Sequence, residues 1–343
     1  MNDVTYMERA LELAALGCEW VSPNPMVGCV IVHENKIIGE GYHRKYGEAH
    51  AEVHAVQSVA DPSLLPQSTV YVTLEPCAHY GKTPPCAELL ARHRVKRVVI
   101  CNEDPFPQVS GRGIALLKAA GIPTETGLLA EKGEELNRRF FKAQRTGLPY
   151  VILKWAETAD GFIARPDGSP VKISNPVTDI SVHRWRAEED AMLVGKNTVL
   201  SDNPRLNVRH WTENKQPVRV ILASSPEPFS GRHILDNTQK TLIYNREISK
   251  TEGLTEYIRA ADLTAVLRSL KEKGIHSLLV EGGRKVHESF IRQRLFDEIR
   301  VIKSTLSTGG GISAPQLPSG ILLEKNIRIL NDRLFFYRNI PTF

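Results

Sequence analysis

A histidine, two cysteines and a glutamate in the first third of the chain have the types and spacing of metal ligands with a proton carrier. His50-Ala51-Glu52 opens a run that reads as a helix, Cys77 follows Pro76, and Cys86 comes nine positions later. One imidazole and two thiolates suit Zn2+, and three protein ligands leave a fourth position for water, as in a catalytic site. Bound zinc acidifies its water, so hydroxide becomes available near neutral pH. Glu52, two residues past His50, is placed to take the proton from that water and hand it to a departing amine. Cys18, Cys29 and Cys101 read as small buried hydrophobes.

A second constellation occupies the other half. Lys154-Trp155-Ala156-Glu157-Thr158-Ala159-Asp160-Gly161 is a strand running into an Asp-Gly turn, and Val194-Gly195-Lys196-Asn197-Thr198 and Asp202-Asn203-Pro204 follow. Leu279-Val280-Glu281-Gly282-Gly283 is an apolar strand ending in an acid and two glycines before a predicted helix. Glycines there let the backbone approach a phosphate, and amides at a helix start bind one. The segment lacks G-x-G-x-x-G, so the dinucleotide fingerprint of a Rossmann fold is not met. On spacing alone it is an ordinary tight turn. Arg186, on a predicted helix, is by itself a solvated charge.

These residues need elements to hold them. At 343 residues the chain has room for about two domains of roughly 100–200 residues. Hydrophobic residues at 41% and charged residues at 24% exclude disordered, collagen-like and low-complexity classes. The excess of 44 basic over 39 acidic residues permits an anionic small substrate without pointing to nucleic acid. Five cysteines, an odd number, fit a disulfide framework poorly. Residues 1–8 do not form a signal peptide, and no run approaches the ~18–20 apolar residues that span a bilayer. The expectation is a cytoplasmic protein with reduced thiols.

Apolar periodicity predicts an opening helix ending near Gly17, a loop at Ser22-Pro23-Asn24-Pro25, and a hairpin over 27–32 and 36–41. Helices are predicted over 50–60, 86–93, 114–120 and 131–145, and strands over 69–74, 97–101 and 124–126. Thr146-Gly147-Leu148-Pro149 marks a boundary between domains 1–146 and 147–343. Beyond it, strands are predicted over 150–156, 191–194, 218–223, 241–244 and 278–280, with a strand-rich tail over 299–337. Helices are predicted over 179–189, 263–273 and 284–293. The alternation is that of α/β domains.

His-x-Glu followed by Pro-Cys and Cys is the pattern of zinc nucleobase deaminases, in which two residues usually separate the cysteines. Here there are eight, Ala78 to Pro85. With Ser22-Pro23-Asn24-Pro25-Met26-Val27-Gly28, His50-Ala51-Glu52-Val53-His54-Ala55 and the stretch from Glu75-Pro76-Cys77 through His79-Tyr80-Gly81-Lys82-Thr83-Pro84-Pro85-Cys86, the chain resembles the bifunctional riboflavin-biosynthesis deaminase/reductases. The similarity continues through Asp104-Pro105, 108–113 and nearly the whole second half. It implies a cytidine-deaminase-like α/β/α domain followed by a dihydrofolate-reductase-like α/β domain that uses NADPH. The implied reactions are deamination of a phosphoribosylated diaminopyrimidinone and then reduction of the ribosyl chain to ribityl. By the resemblance, His50, Cys77 and Cys86 hold zinc, Glu52 shuttles the proton, and Asn24, His43 and Lys82 meet the substrate. Ala156, Lys172, Thr198, Asp202, Ser224, Gly283, Arg284, Lys285, Val286, His287, Glu288 and Ser289 would contact the cofactor. Arg186, Leu206, Arg209 and Glu281 would hold the substrate, the arginines suiting a phosphate monoester. A homo-oligomer acting on this small substrate, with neither nucleic acid nor membrane as partner, is also implied.

Met26, Phe106, Pro170, Lys172 and Asn203 depart from the family's common residues. The last three raise the alternative of an active deaminase with a degenerate reductase half. A nucleic-acid-editing deaminase is a second alternative, against which stands the lack of a basic stripe with interleaved aromatics.

Overall fold

Asn2 starts the first helix by accepting a hydrogen bond from Thr5 N, and Tyr6, Met7, Ala10 and Leu11 form part of that helix's buried face. The computed structural model describes residues 2–78, 80, 84–106, 110–212, 215–225 and 229–340. The chain divides into two compact units, Met1–Gly147 and Leu148–Phe343.

In the first unit, α1 (Asp3–Ala15) is followed by β1 (Gly28–His33), β2 (Lys36–Tyr42), α2 (Ala51–Gln57), β3 (Thr69–Leu74) and α3 (Cys86–Arg92). Then come β4 (Arg97–Asn102), α4 (Arg112–Ala119), β5 (Thr124–Thr126), α5 (Ala130–Leu136) and α6 (Arg138–Thr146). The sheet order is β2-β1-β3-β4-β5. β1 runs antiparallel to β2 and β3, whereas β3, β4 and β5 are parallel. The central strands are buried on both faces, so their sequences are continuous apolar runs with no alternation. Ile31, Val72, Ala55, Leu90 and Leu117 pack one face beneath α2, α3 and α4. Met7, Leu11, Val30 and Val99, with Leu136, pack the other beneath α1 and α5.

Two expectations for this unit are corrected. The helix predicted over 131–145 is two helices that meet at Asn137. The Asn137 side chain accepts from Met26 N and donates to Met26 O, both at 2.8 Å, so this residue serves a distant loop. The helix predicted over 50–60 stops at Gln57, and a 3-10 turn, Pro62–Gln67, follows with Asp61 accepting from Ser63 N.

The second unit begins with β6 (Tyr150–Glu157), β7 (Phe162–Ala164), α7 (Pro176–Glu188), β8 (Ala191–Gly195), α8 (Lys196–Asp202), β9 (Val218–Leu222) and β10 (Thr241–Asn245). It continues with β11 (Lys250–Glu252), β12 (Thr255–Arg259), α9 (Leu263–Glu272), β13 (Ser277–Val280) and α10 (Arg284–Arg292). β14 (Glu298–Lys303), β15 (Ile312–Ser313), β16 (Ile321–Ile329) and β17 (Asp332–Asn339) complete it. The large sheet has the order β11-β12-β10-β9-β8-β13-β6-β14-β17-β16. From β12 to β14 every neighbouring pair is parallel, so these strands end on one edge of the sheet. In open α/β sheets that carboxyl edge is where ligands bind. α8, β7, β11 and β12 were not anticipated: α8 and β11 are mostly polar, β7 is only three residues long, and β12 lies beside the edge strand β11. No helix among the described residues is long and apolar enough to cross a membrane.

Candidate functional site

The beginnings of two helices and the loop after a strand bring the first constellation together. His50 is the N-cap of α2 and makes no capping bond with its side chain, so the ring is turned to other use. Cys86 is the first residue of α3, behind Pro85, and Cys77 lies three residues past β3. His50 Nδ1 lies 3.6 Å from Cys77 Sγ and 3.4 Å from Cys86 Sγ. The three donor atoms all fall within 4.8 Å of one another. A tetrahedral ion with zinc–sulfur and zinc–nitrogen distances of about 2.3 and 2.1 Å sets nitrogen and sulfur roughly 3.6 Å apart, so this donor set fits zinc. The Cys86 and His50 contacts hold the Cys77 thiol below its usual pKa, which favours the thiolate that ligates metals.

Glu52 is only 3% exposed, and burial pushes its pKa up to about 6. Its carboxyl is hydrogen-bonded to the Cys86 thiol, so it borders the same space. His43 stands edge-on to His50, with ring centroids 5.5 Å apart. Burial lowers the pKa of His43. The neutral ring then donates from Nδ1 to Ala49 O at 3.1 Å and accepts at Nε2 from the Asn24 amide at 3.2 Å. Asn24 and His43 are thus fixed against each other beside His50. Lys82 lies outside the described residues, as do 108 and 109.

Two supporting residues escaped the sequence reading. Asn137 clasps both backbone groups of Met26 and so fixes the loop that carries Asn24. Glu75, 4% exposed, accepts from Gly111 N at 3.0 Å, Gly113 N at 2.9 Å, and Asp104 N and Ile114 N at 3.3 Å. One carboxylate therefore ties the loop before α4 to the residue preceding Pro76-Cys77. Its only sequence signal was an acid next to that Pro-Cys pair.

In the second unit a cavity of about 780 Å3 opens at the carboxyl ends of β6, β13, β8 and β9. That volume is within the usual range for a small-molecule site. Ala156, Lys172, Thr198, Asp202, Ser224, Gly283, Arg284, Lys285, Val286, His287 and Glu281 line it. A Cβ on Gly282 would lie 2.5 Å from Val194 Cα, and Gly283 has a φ of 74°. Only glycines let this turn press against β8, and Gly283, Arg284 and Lys285 bring the start of α10 to the cavity, where a helix N-terminus suits a phosphate. The lining and this turn fit a dinucleotide.

The remaining expected contacts divide. Glu288 pairs with Arg284 and Ser289 accepts from Arg292, and neither is among the lining residues. Leu206 is 2% exposed in an apolar cluster, its carbonyl accepts from Gln239 Nε2 at 3.3 Å, and it is not among the lining residues. His287 turns both ring nitrogens to backbone carbonyls, Gly283 at 3.1 Å and Val280 at 3.2 Å, and so brackets the turn at 281–283. Asp202 ends α8, and the cap is Asn203, with a φ of 43°. Lys172 is ion-paired with Asp179.

Arg186 and Glu281 hold each other. Arg186 donates from Nε at 3.1 Å and from Nη2 at 2.6 Å to the two carboxylate oxygens. Lys154 Nζ lies 3.7 Å from the same carboxylate. Burial acts to raise the pKa of Glu281, but Arg186 and Lys154 hold it below the usual value. Burial draws Lys154 down, with Glu281 opposing. Lys154, on β6, is a part-buried lysine in the cavity wall. Arg209 is anchored differently, its backbone N donating to His183 Nδ1 at 3.2 Å and its guanidinium to Asn207 Oδ1 at 3.1 Å.

Residues 1–102 match the cytidine and deoxycytidylate deaminase zinc-binding region, and residues 149–333 match the RibD C-terminal domain. The riboflavin biosynthesis protein RibD of Bacillus amyloliquefaciens is 43% identical, over 92% of this chain and 87% of its own length. The protein of the same name from Aquifex aeolicus is 40% identical, over 97% and 95%. The crystal structure of the diaminohydroxyphosphoribosylaminopyrimidine deaminase/5-amino-6-(5-phosphoribosylamino)uracil reductase of Thermotoga maritima is 34% identical, covers 98% of both chains and has a TM-score of 0.89. Acinetobacter baumannii RibD, also 34% identical, covers 99% of both with a TM-score of 0.90. Both halves of the chain are matched in order and nearly end to end, and the chain belongs to the RibD family of bifunctional deaminase/reductases of riboflavin biosynthesis.

Proposed function

We propose that the first unit deaminates a diaminopyrimidinone carrying a phosphoribosylamino group, and that the second reduces the ribosyl chain of the deaminated product with NADPH. The observation that carries the first half is the convergence of His50 Nδ1 with the sulfurs of Cys77 and Cys86, next to buried Glu52. His50, Cys77 and Cys86 would hold zinc, which when bound acidifies water for attack on the ring carbon. Glu52 takes the proton released in that attack and returns it to the leaving amine, which departs as ammonia. Asn24, fixed by His43, orients the pyrimidine edge. Lys82 is assigned to the ribose phosphate.

In the second unit, NADPH would lie across the strand ends and supply hydride when bound. Ala156, Lys172, Thr198, Asp202, Ser224 and the start of α10 hold it. Of the expected segment at 283–289, Glu288 and Ser289 take a supporting part from behind. Glu281 and Arg209 orient the phosphorylated sugar, with Arg186 keeping Glu281 ionised and Leu206 packed in the apolar cluster behind them. Carbon 1 of the opened sugar accepts the hydride, and its nitrogen takes a proton. Lys154, part-buried at the cavity wall beside Glu281, delivers that proton and recovers one from water. We assign the protein to the cytoplasm as a homo-oligomer, which sedimentation of the purified chain tests.

The decisive experiment incubates the full chain with the diaminopyrimidinone phosphate, with and without NADPH, and follows products by mass. Exchange of an amine for oxygen, then gain of two hydrogens only with NADPH, supports both halves. An unreduced product at saturating NADPH favours the degenerate-reductase reading.

A further inference from the structure

A smaller pocket of about 240 Å3 lies at the ends of β9 and β10, and Leu222 and Ser224 are walls of both it and the larger cavity. Its other walls include Asn245, Arg246 and Asp262. Arg246 is the first residue past β10 and is exposed. Among the described residues it has neither an ion pair nor a hydrogen bond. The turn that presents it is fixed, because Asn245 Oδ1 accepts from Glu247 N and Ile248 N at 2.8 Å while its amide donates to Ile248 O at 3.0 Å. Asp262, the acid in this pocket, turns its carboxylate to Ala265 N at 2.8 Å as the cap of α9.

Strand order gives this pocket a meaning. From β6, which carries Lys154, the sheet runs through β13, β8 and β9 to β10. Four spacings of parallel strands are about 19 Å. A dinucleotide with its reactive ring beside Lys154 and Glu281 and its pyrophosphate at the start of α10 therefore brings its far nucleoside over β9 and β10. NADPH differs from NADH only in a phosphate on the 2′-oxygen of that nucleoside. A guanidinium binds such a group through paired, charge-assisted hydrogen bonds.

We propose that Arg246, with the Ser224 hydroxyl, receives the 2′-phosphate of NADPH and sets the preference of this chain for NADPH over NADH. The proposal rests on the reading that the larger cavity holds the cofactor. Its test is calorimetric titration of the full chain and of Arg246→Ala with NADPH, NADH and 2′,5′-ADP. Loss of a charge-assisted contact of this kind is expected to weaken NADPH and 2′,5′-ADP by about tenfold to a hundredfold. NADH affinity is expected to stay within about twofold, and Arg246→Lys to keep part of the preference. Unchanged NADPH affinity in Arg246→Ala, or equal weakening of NADPH and NADH, overturns the subsite and leaves the cofactor reading standing. A native chain that binds neither NADPH nor 2′,5′-ADP overturns the cofactor reading itself, and the subsite with it.

Discussion

Replacing Glu281 by glutamine should destabilise the second unit far more than a surface charge change would. The Glu281 side chain is 7% exposed and that of Arg186 14%, and Lys154 at 13% shares the same carboxylate. Charges about 4 Å apart at an effective dielectric near 20 attract by about 4 kcal/mol. Removing one partner of a buried pair costs about 3–5 kcal/mol, because the other charge is left without compensation. Here two cations are left, although Lys154, already drawn down by burial, can shed its proton and limit the penalty. A loss of about 4 kcal/mol lowers the melting temperature of a unit this size by roughly 8–16 °C. Tryptophan fluorescence reports it, since Trp155, Trp185 and Trp211 lie in the second unit and only Trp20 in the first. The pH dependence supplies a second check. Glu281 is held below its usual value of 4.5, so its stabilisation is complete above about that pH and is lost as pH falls through the lowered pKa. The gap between wild type and variant should therefore close as the pH falls into acid. A gap under about 1 kcal/mol, or one that ignores acid, would refute the claim that this pair carries the site's electrostatics.

Three further outcomes are expected. Cys77→Ala should abolish stoichiometric zinc by metal analysis together with deamination, and a variant that keeps the metal would remove Cys77 from the ligand set. Glu52→Gln should retain zinc while deamination falls by about 10²–10⁴, and full activity would end the proton-shuttle assignment. Asn137→Ala releases both backbone groups of Met26, so the KM for the pyrimidine substrate should rise with zinc content unchanged; an unaltered KM would mean that the Asn24 loop needs no anchor.

What was legible in the sequence was what neighbouring residues decide among themselves. Residues 69–74 and 124–126 are strands as their apolar or β-branched content and bounding turns required. The convergence of His50, Cys77 and Cys86 was legible because His-x-Glu opens a helix and Pro-Cys follows a strand, a combination that each short motif alone does not make. The break at Asn137 was not, since the local pattern on both sides is helical and the reason for the break lies 111 residues away at Met26. The polar β11 likewise gave no periodic signal, because it is exposed at the sheet edge and has no buried face to mark.

The same distinction changes what the two arginines mean. Arg186 and Arg209 looked alike in the sequence, two guanidinium groups suited to one phosphate. A residue type states which partners are possible, but not whether one is already in place. Arg186 has a carboxylate within 2.6 Å, brought there from 95 positions away. Its charge is largely neutralised before any substrate arrives, so its part is to hold Glu281 ionised and in position. Arg209 has no carboxylate in hydrogen-bond contact among the described residues: its backbone is fastened to His183 and its guanidinium donates to the neutral Asn207 side chain. Of these two arginines, Arg209 therefore carries the charge that is not already paired with a carboxylate. Binding of the phosphorylated sugar should depend on it more steeply than on Arg186, while the stability of the unit should depend on the two in the reverse order.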